Sequence, residues 1–289
     1  VPYLTEKYTQ NRLNERFDHA KFGLKPTHNV FAQHPMVNDS IANCIASGGI
    51  CIKPNVKTFT EHGVEFEDGT AEADIDAAIL ATGYVFGFPY LQDGIIEVKN
   101  NEVKLYKYVF EPELKHPTLG VIGCVQPLGA LMPISEMQCR WFTRVIKGLV
   151  KLPPKEEMLA DIEACAEAMS NQYVKSQRHT IQVDYVEYVD QLAEMIGACP
   201  SFWGLFPSDP WLAFQVWFGA VTPYQYRLFG PHKWPGAREA IRHQWERTFK
   251  ATSSSVVQPE QPDDFGMTLK VSILLVALLA ILFYVFLYG

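Results

Sequence analysis

The stretch DAAILATGYVFGFP, residues 76–89, combines an acidic start, a short apolar run and an abrupt Thr-Gly. This pattern is typical of a buried strand that ends in a turn, and we expect the strand to cover residues 75–81. Open α/β sheets bind ligands at such strand ends, where Gly83 would let a ligand approach the backbone closely. The stretch therefore predicts an α/β fold with a ligand contact at Thr82, Gly83 and Tyr84. A strand that ends in glycine for geometry alone is the other interpretation.

A second strand and turn follow near the middle of the chain. Residues 119–125 predict another buried strand, and Gln-Pro-Leu-Gly at residues 126–129 breaks it. Pro133 suits the first turn of a helix over residues 134–149, whose free N–H groups would face the break. The amide of Gln126 can both donate and accept hydrogen bonds there. Gln126 is therefore a candidate ligand contact, although a glutamine in this place can also cap the helix or satisfy a loop carbonyl.

Shorter strands are predicted around these two units. Residues 50–53 and 64–66 have strand character, and Asp68-Gly69 is a hairpin signal because glycine tolerates the positive φ of a tight turn. Residues 98–110 predict one or two half-exposed strands around Asn100-Asn101.

Amphipathic helices dominate the rest of the chain. Asp184 and Glu187 are spaced as a capping box at the start of one of them, and Gly197 is its stop signal. Asp209-Pro210 starts another helix, which is apolar on all sides and can stop at Gly219. The apolar spacing predicts the helix with this capping box over residues 184–196, and two further helices over residues 155–169 and 235–249.

The segment over residues 202–234 is rich in aromatic side chains. A helix that is apolar on all sides must be buried in protein or touch lipid, so three interpretations stay open. The segment can be core, can line an apolar substrate passage, or can rest on a membrane, because Trp and Tyr favour interfaces. The aromatic residues are Phe202, Trp203, Phe206, Trp211, Phe214, Trp217, Phe218, Tyr224, Tyr226, Phe229 and Trp234.

Composition excludes several classes of protein. Of the 289 residues 48% are hydrophobic, which is enough for a substantial core and argues against a disordered tail. The net charge of -7 and the lack of a basic tract argue against nucleic-acid binding. The six cysteines form no C-x-x-C pair and the eight histidines no ligand-spaced pair, so we expect reduced thiols and no metal site.

The end of the chain predicts a membrane anchor. Residues 271–288 contain no charge and no proline, and as a helix they would span about 27 Å, close to the hydrocarbon thickness of an endoplasmic-reticulum bilayer. A polar linker precedes them, which favours a single-pass C-terminal anchor in the lipid bilayer over a buried core helix. Lys270 alone flanks the segment, so its orientation is not indicated.

Several sequence blocks together resemble the flavin-containing monooxygenase family, whose ATGY-containing motif matches residues 81–84. The other matching blocks are FGL at 22–24, HPMVNDS at 34–40, KPNVK at 53–57, EDGT at 67–70 and WPGAR at 234–238. The resemblance implies the cofactors FAD and NADPH, O₂ as a second substrate, and a location in the endoplasmic-reticulum membrane of microsomes. It also implies that a C4a-hydroperoxyflavin oxygenates the nitrogen or sulfur of an apolar amine or sulfide.

The same resemblance implies which residues meet the cofactors. Because the flavin carries the chemistry, no catalytic side chain is expected. The expected cofactor-binding residues are Asn38, Asp39, Thr82, Gly83, Tyr84 and Gln126.

The phosphate-binding turns of this family are not found in the chain. It contains no G-x-G-x-x-G pattern and begins at Val1, so we interpret it as the C-terminal half of a two-dinucleotide-binding-domain flavoprotein, incomplete as an enzyme. Two other functions stay open: a non-catalytic, tail-anchored remnant that acts by interaction, and a flavoprotein reductase or oxidase. A homo-oligomer also stays open. The predicted parts are residues 1–150 for the interleaved NADPH and FAD domains, 151–250 for a helical, aromatic-rich region, 251–270 for a linker and 271–288 for the transmembrane helix.

Overall fold

The computed structural model of this chain describes residues 3–34, 36–174, 176–250 and 252. The described residues divide into two compact units. The first contains the chain up to Cys199 together with Phe229–Lys233, and the second contains Pro200–Leu228 and the described residues from Trp234 onward.

The strands of the first unit are short and mostly antiparallel. A three-stranded sheet has the order β1-β2-β3, and the predicted hairpin joins β2 to β3 with Gly69 at a φ of 81°. A second hairpin joins β4 to β5 through Asn100 and Asn101, both with positive φ, as the sequence indicates. The strands are β1 Val56–Phe59, β2 Gly63–Phe66, β3 Ala71–Ala73, β4 Val98–Lys99, β5 Glu102–Val103, β6 Gln126–Pro127 and β7 Gln182–Val183.

Three of the predicted strands are wrong. Residues 50–53 form no strand, because the chain there is irregular and β1 begins only at Val56. Residues 75–81 form no strand, and Ile79 is 93% exposed, because no described strand pairs with them and no helix covers them. A strand buried on both faces needs such neighbours. Residues 119–125 are irregular as well, and only Val125 is buried. The strand in that region is the two residues of β6, which pair in parallel with β7.

Two helices supply a large part of the core of the first unit. Helices α3 and α5 pack against each other through buried apolar faces. Helix α3 buries Ile134, Met137, Trp141 and Val145 on one face, whereas Leu149, the last residue of the predicted helix, is exposed because the helix ends before it. The helices are α1 Tyr3–Arg16, α2 Ile41–Ala46, α3 Leu131–Ile146, α4 Lys155–Gln172 and α5 Tyr185–Met195.

Helix α5 begins and ends where the sequence indicates. The carboxylate of Asp184 accepts hydrogen bonds from the backbone N–H groups of Val186 and Glu187 at 3.1 and 3.2 Å, which caps the helix. Gly197 follows the helix with a φ of 68°. The side chain of Glu187 accepts from Gln191, so only the Asp184 half of the predicted capping box is present.

The regular elements in the described part of the second unit are all helices. Asp209 starts α7 by accepting a hydrogen bond from the N–H of Leu212 at 3.1 Å, and it also binds the guanidinium group of Arg242 at 2.6 Å. The predicted helix over residues 235–249 is instead two helices that meet at His243. The helices are α6 Phe202–Leu205, α7 Pro210–Phe218, α8 Ala237–Arg242 and α9 Gln244–Phe249, with a 3₁₀ helix at Pro223–Arg227.

The aromatic segment is divided between core and surface. Helix α7 buries Leu212, Ala213 and Val216, whereas the rings of Trp211 and Phe218 are exposed. The core interpretation therefore holds for one side of the helix only. The predicted linker and membrane anchor, residues 251–288, lie outside the described residues apart from Thr252; within the part of the chain that is described, no helix is long and apolar enough to cross a membrane.

Candidate functional site

One buried side chain fixes the turn that follows residues 75–81. Asn101 lies in the β4–β5 hairpin and is 8% exposed. Its Nδ2 donates to the carbonyl of Tyr84 at 3.0 Å, and its Oδ1 accepts from the N–H of Phe86 at 3.1 Å. Nδ2 also donates to the carbonyl of Gln177 at 3.2 Å, while the hydroxyl of Thr180 donates to the Asn101 carbonyl. Asn101 thus holds three segments of the first unit together.

The turn that Asn101 fixes is open to its surroundings. Thr82, Gly83 and Tyr84 are all exposed, Tyr84 to 98%. Gly83 has a φ of 87°, which disfavours other residue types. Among the described residues other than its two chain neighbours, a Cβ atom at Gly83 would meet one heavy atom within 4 Å, the Nε of Arg178 at 3.9 Å. The backbone at Gly83 therefore has room for a ligand, although the turn does not follow a strand, and a cofactor contact at Thr82, Gly83 and Tyr84 stays a prediction.

Gln126 lies within a strand and not in the break after it. Its N–H donates to the carbonyl of Ile181 at 2.7 Å, and its partner across the parallel pair is Gln182. The side chain is half-buried. Helix α3 begins at Leu131, and Ala130 supplies no side-chain cap, so the first N–H groups of α3 are left to solvent or ligand.

A buried polar chain positions the segment in front of Gln126. The Oε1 of Gln138 on α3 accepts from the N–H of Gly123 at 2.8 Å, and its Nε2 donates to the hydroxyl of Tyr188 on α5 at 2.8 Å. The Tyr188 hydroxyl donates in turn to the carbonyl of Lys107. Burial raises the pKa of Tyr188, so this phenol stays protonated and keeps its donor role.

A cluster of rings and amides lies beside β7. The side chain of Gln182 hydrogen-bonds to the Nε2 of His34. The rings of His34 and His179 are nearly parallel with centroids 6.2 Å apart, and Tyr173 stacks on His179 at 5.9 Å. Burial lowers the pKa of His179, which favours the neutral imidazole at pH 7. The Nδ1 of His179 and the Oε1 of Gln182 are buried and have no hydrogen-bond partner among the described residues.

The predicted pair Asn38 and Asp39 has a local role. The Oδ1 of Asn38 accepts from the N–H groups of Ser40 and Ile41 at 2.9 and 2.8 Å, which fixes the start of α2. The carboxylate of Asp39 is exposed and lies 3.7 Å from the guanidinium group of Arg16. Within the described ranges, neither side chain hydrogen-bonds to the Gly83 turn or to Gln126, so their contact with a cofactor stays a prediction.

Sequence reasoning missed Asn101, His179 and Gln182. The Asn101–Phe86 hydrogen bond spans 15 residues of sequence and the Gln182–His34 hydrogen bond spans 148, so no local pattern marks Asn101 or Gln182. Asn-Asn at residues 100–101 does give a turn signal, but that signal predicts only the hairpin. It does not predict the clamp, by which we mean the side-chain hydrogen bonds of Asn101 to Tyr84, Phe86 and Gln177. All six cysteines carry free thiols, and the described part of the chain contains no group of three or more His, Cys, Asp or Glu side chains that could hold a metal ion.

Comparison with known proteins gives a consistent set of relatives. The family model described as flavin-binding monooxygenase-like matches residues 2–286. Flavin-containing monooxygenase 5 of Rattus norvegicus is 49% identical over 279 residues, which is 96% of this chain and 52% of that protein. Dimethylaniline monooxygenase [N-oxide-forming] 2 of Mus musculus is 43% identical over 274 residues, which is 95% of this chain and 51% of that protein. The chain thus spans about half the length of these relatives.

A solved structure also matches part of the chain. The S-allyl-L-cysteine S-oxygenase from Allium sativum is 28% identical, with a TM-score of 0.44 over 68% of this chain and 43% of that one.

Proposed function

The chain belongs to the flavin-binding monooxygenase-like family, an α/β flavoprotein family, and on that premise we propose that it forms one wall of the cofactor and substrate site of an NADPH-dependent monooxygenase. The proposed reaction transfers one oxygen atom of O₂ to the nitrogen or sulfur of an apolar small molecule, and the other oxygen atom leaves as water with two electrons from NADPH. Family membership implies FAD and NADPH as the cofactors. The name of the mouse relative, which states N-oxide formation, supports nitrogen as an acceptor.

One observation carries this proposal: the exposed, left-handed Gly83 turn held by Asn101. The backbone at Gly83 has open space where a side chain would otherwise stand, so it fits close approach by the ribose or phosphate of a dinucleotide. The clamp matters because it fixes the positions of the Tyr84 carbonyl and the Phe86 N–H before a ligand arrives. Preorganised groups bind without a further entropy cost for ordering the loop.

A second feature supports a planar heterocycle next to β6 and β7. Gln126 precedes the uncapped start of α3, and its strand partner Gln182 has a buried Oε1 without a hydrogen-bond partner in the described residues. A buried acceptor of this kind suits an N–H donor of a ligand. When bound, FAD reduced by NADPH supplies the oxygen-activating chemistry. The residues of this chain would orient the cofactors and exclude water, and no acid–base pair is needed.

The proposal includes a location at the endoplasmic-reticulum membrane. The apolar sequence over residues 271–288 supports a single-pass anchor, and the exposed rings of Trp203, Trp211 and Phe218 suit a membrane interface.

A chimera with the rat relative tests the proposed function. The part of that protein which precedes the matched region is joined to residues 1–289 of this chain, since the two are 49% identical over the shared 279 residues. We expect the purified chimera to retain FAD and to form dimethylaniline N-oxide or methyl phenyl sulfoxide in proportion to the NADPH that it oxidises. Gly83→Val, which fills the open turn, is expected to reduce both the formation of oxygenated product and the oxidation of NADPH.

The alternatives give different results in the same assay. Hydrogen peroxide without oxygenated product would indicate an oxidase, and NADPH oxidation that reduces a disulfide or quinone would indicate a reductase. A folded chimera without flavin would contradict the enzyme function and favour the remnant.

A further inference from the structure

Arg178 is brought to the Gly83 turn by the same clamp that fixes that turn. Asn101 accepts a hydrogen bond from Thr180 and donates one to the carbonyl of Gln177, so its contacts lie on both sides of Arg178 in sequence. The backbone in between is further fixed because the N–H of Arg178 donates to the Ser176 hydroxyl at 3.2 Å. The chain on both sides of Arg178 is therefore held by hydrogen bonds that do not use its guanidinium group.

The guanidinium group of Arg178 is unused within the described residues. It is exposed, it forms no ion pair there, and its Nε lies 3.9 Å from the place that a Gly83 Cβ would occupy. By contrast, Arg12 pairs with Glu15 at 2.8 Å and Arg242 binds Asp209 at 2.6 Å. An arginine held beside an open glycine turn has its full set of N–H donors available for an anion.

We propose that Arg178 and the Gly83 turn form a subsite for a phosphate group of the nicotinamide cofactor, NADPH or NADP⁺. The planar guanidinium fork matches two phosphate oxygens, and the missing side chain at Gly83 lets the pyrophosphate approach the backbone. Asn101 is the positioning residue of this subsite because it holds both segments that form it. The proposal rests on the proposed function, since it assigns one contact of the cofactor named there.

Calorimetric titration of the chimera with NADP⁺ tests the subsite. Arg178→Ala is expected to raise the Kd of NADP⁺ by about 10- to 100-fold, the loss typical of a hydrogen-bonded charge. Arg178→Lys keeps the charge without the fork and should lose less. Arg12→Ala, an exposed arginine in α1, is the matched control and should leave Kd unchanged. Arg178 is exposed, so the thermal midpoints of all three variants should equal that of the parent.

The outcomes separate this proposal from the proposed function. If the chimera retains FAD and forms product while Arg178→Ala binds NADP⁺ within twofold of the parent, the subsite is wrong and the function stands. If the chimera retains no FAD, the 289-residue chain is titrated with inorganic pyrophosphate and the Arg178 Nε–H and Gly83 amide resonances are followed by NMR. Shifts in both signals that Arg178→Ala removes would support the subsite, and unchanged signals would overturn it.

Discussion

The α3–α5 pair and residues 74–88 both carry apolar side chains, but the first buries most of them and the second exposes most of them. Ile134 on α3 is 0% exposed, whereas Ile79 is 93% exposed. Helices α3 and α5 supply each other's neighbours and are tied by the Gln138–Tyr188 hydrogen bond. Residues 74–88 have no strand partner in the described structure and are held at their far end by Asn101. Burial is therefore a property of the available neighbours and not of the apolar sequence alone.

The largest expected effect is a difference in the free energy of unfolding when the same substitution, Ile to Ala, is made in each of the two regions. Ile134→Ala removes a fully buried side chain from the α3 core and should lower the free energy of unfolding by about 2–5 kcal/mol. Ile79→Ala makes the same chemical change at an exposed site and should stay within about 0.5 kcal/mol of the parent. Urea denaturation followed by far-UV circular dichroism measures both. Equal losses would mean that residues 74–88 are buried in solution and that the contrast is wrong.

The next effect concerns the clamp that attaches the exposed segment to the rest of the first unit. Asn101→Ala removes the hydrogen bonds to Tyr84, Phe86 and Gln177 and should cost about 1–3 kcal/mol. Amide hydrogen exchange should accelerate at Phe86. Asn100→Ala is the matched control, because Asn100 shares the hairpin and the positive φ, so both variants carry the same backbone strain. Identical exchange rates at Phe86 in the two variants would remove Asn101 from its assigned role.

A smaller effect tests how far α5 is stabilised by its own sequence. Asp184→Ala removes the N-cap and should cost about 1 kcal/mol. Glu187→Ala should cost less than about 0.5 kcal/mol, because the Glu187 side chain contacts Gln191 and not the start of the helix. Thermal midpoints compare the two variants directly. If Glu187→Ala costs as much as Asp184→Ala, the complete capping box forms in solution.

The helices could be predicted because their signals are local. The cap at Asp184, the stop at Gly197 and the buried stripe of α3 each lie within a few turns of sequence. Whether residues 75–81 form a strand could not be predicted in the same way, because a strand exists only with hydrogen-bonded neighbours from elsewhere in the chain. The apolar run there predicts burial, yet the run is exposed.

The candidate site was only partly predictable for the same reason. The turn at Gly83 has a local signature, and its positive φ confirms the need for glycine. Asn101 has no such signature, since its partners Phe86, Tyr84 and Gln177 lie 15, 17 and 76 residues away. Arg178 likewise reaches the turn through tertiary contacts alone. Sequence therefore indicates the turn itself, and the tertiary contacts indicate which side chains lie beside it.

The smallest expected effect is on how stability changes with pH. Two histidines have pKa values shifted in opposite directions, so they should change the pH dependence of stability in opposite directions. Burial lowers the pKa of His179, the neighbouring Gln182 side chain opposes that shift, and the nearby His34, Arg178 and His28 add to it. The unfolded chain therefore binds more protons at this position, so the stability linked to His179 is present above the ordinary pKa of 6.5 and is lost as pH falls below it.

His243 should show the reverse dependence. Hydrogen bonds to Glu246 and Glu239 raise its pKa, so the stability linked to it is present below pH 6.5 and is lost as pH rises through the raised value. Because His243 is on the surface, salt should weaken its effect, whereas the His179 effect should persist. The measurement is the thermal midpoint between pH 5 and 8 for His179→Gln and His243→Gln against the parent. His179→Gln should flatten the loss of stability at acid pH, and His243→Gln should flatten a loss toward alkaline pH at low salt. If both variants follow the parent curve, neither pKa shift is linked to folding. His179, in the cluster beside β7, would then bind the same number of protons in the folded and the unfolded chain.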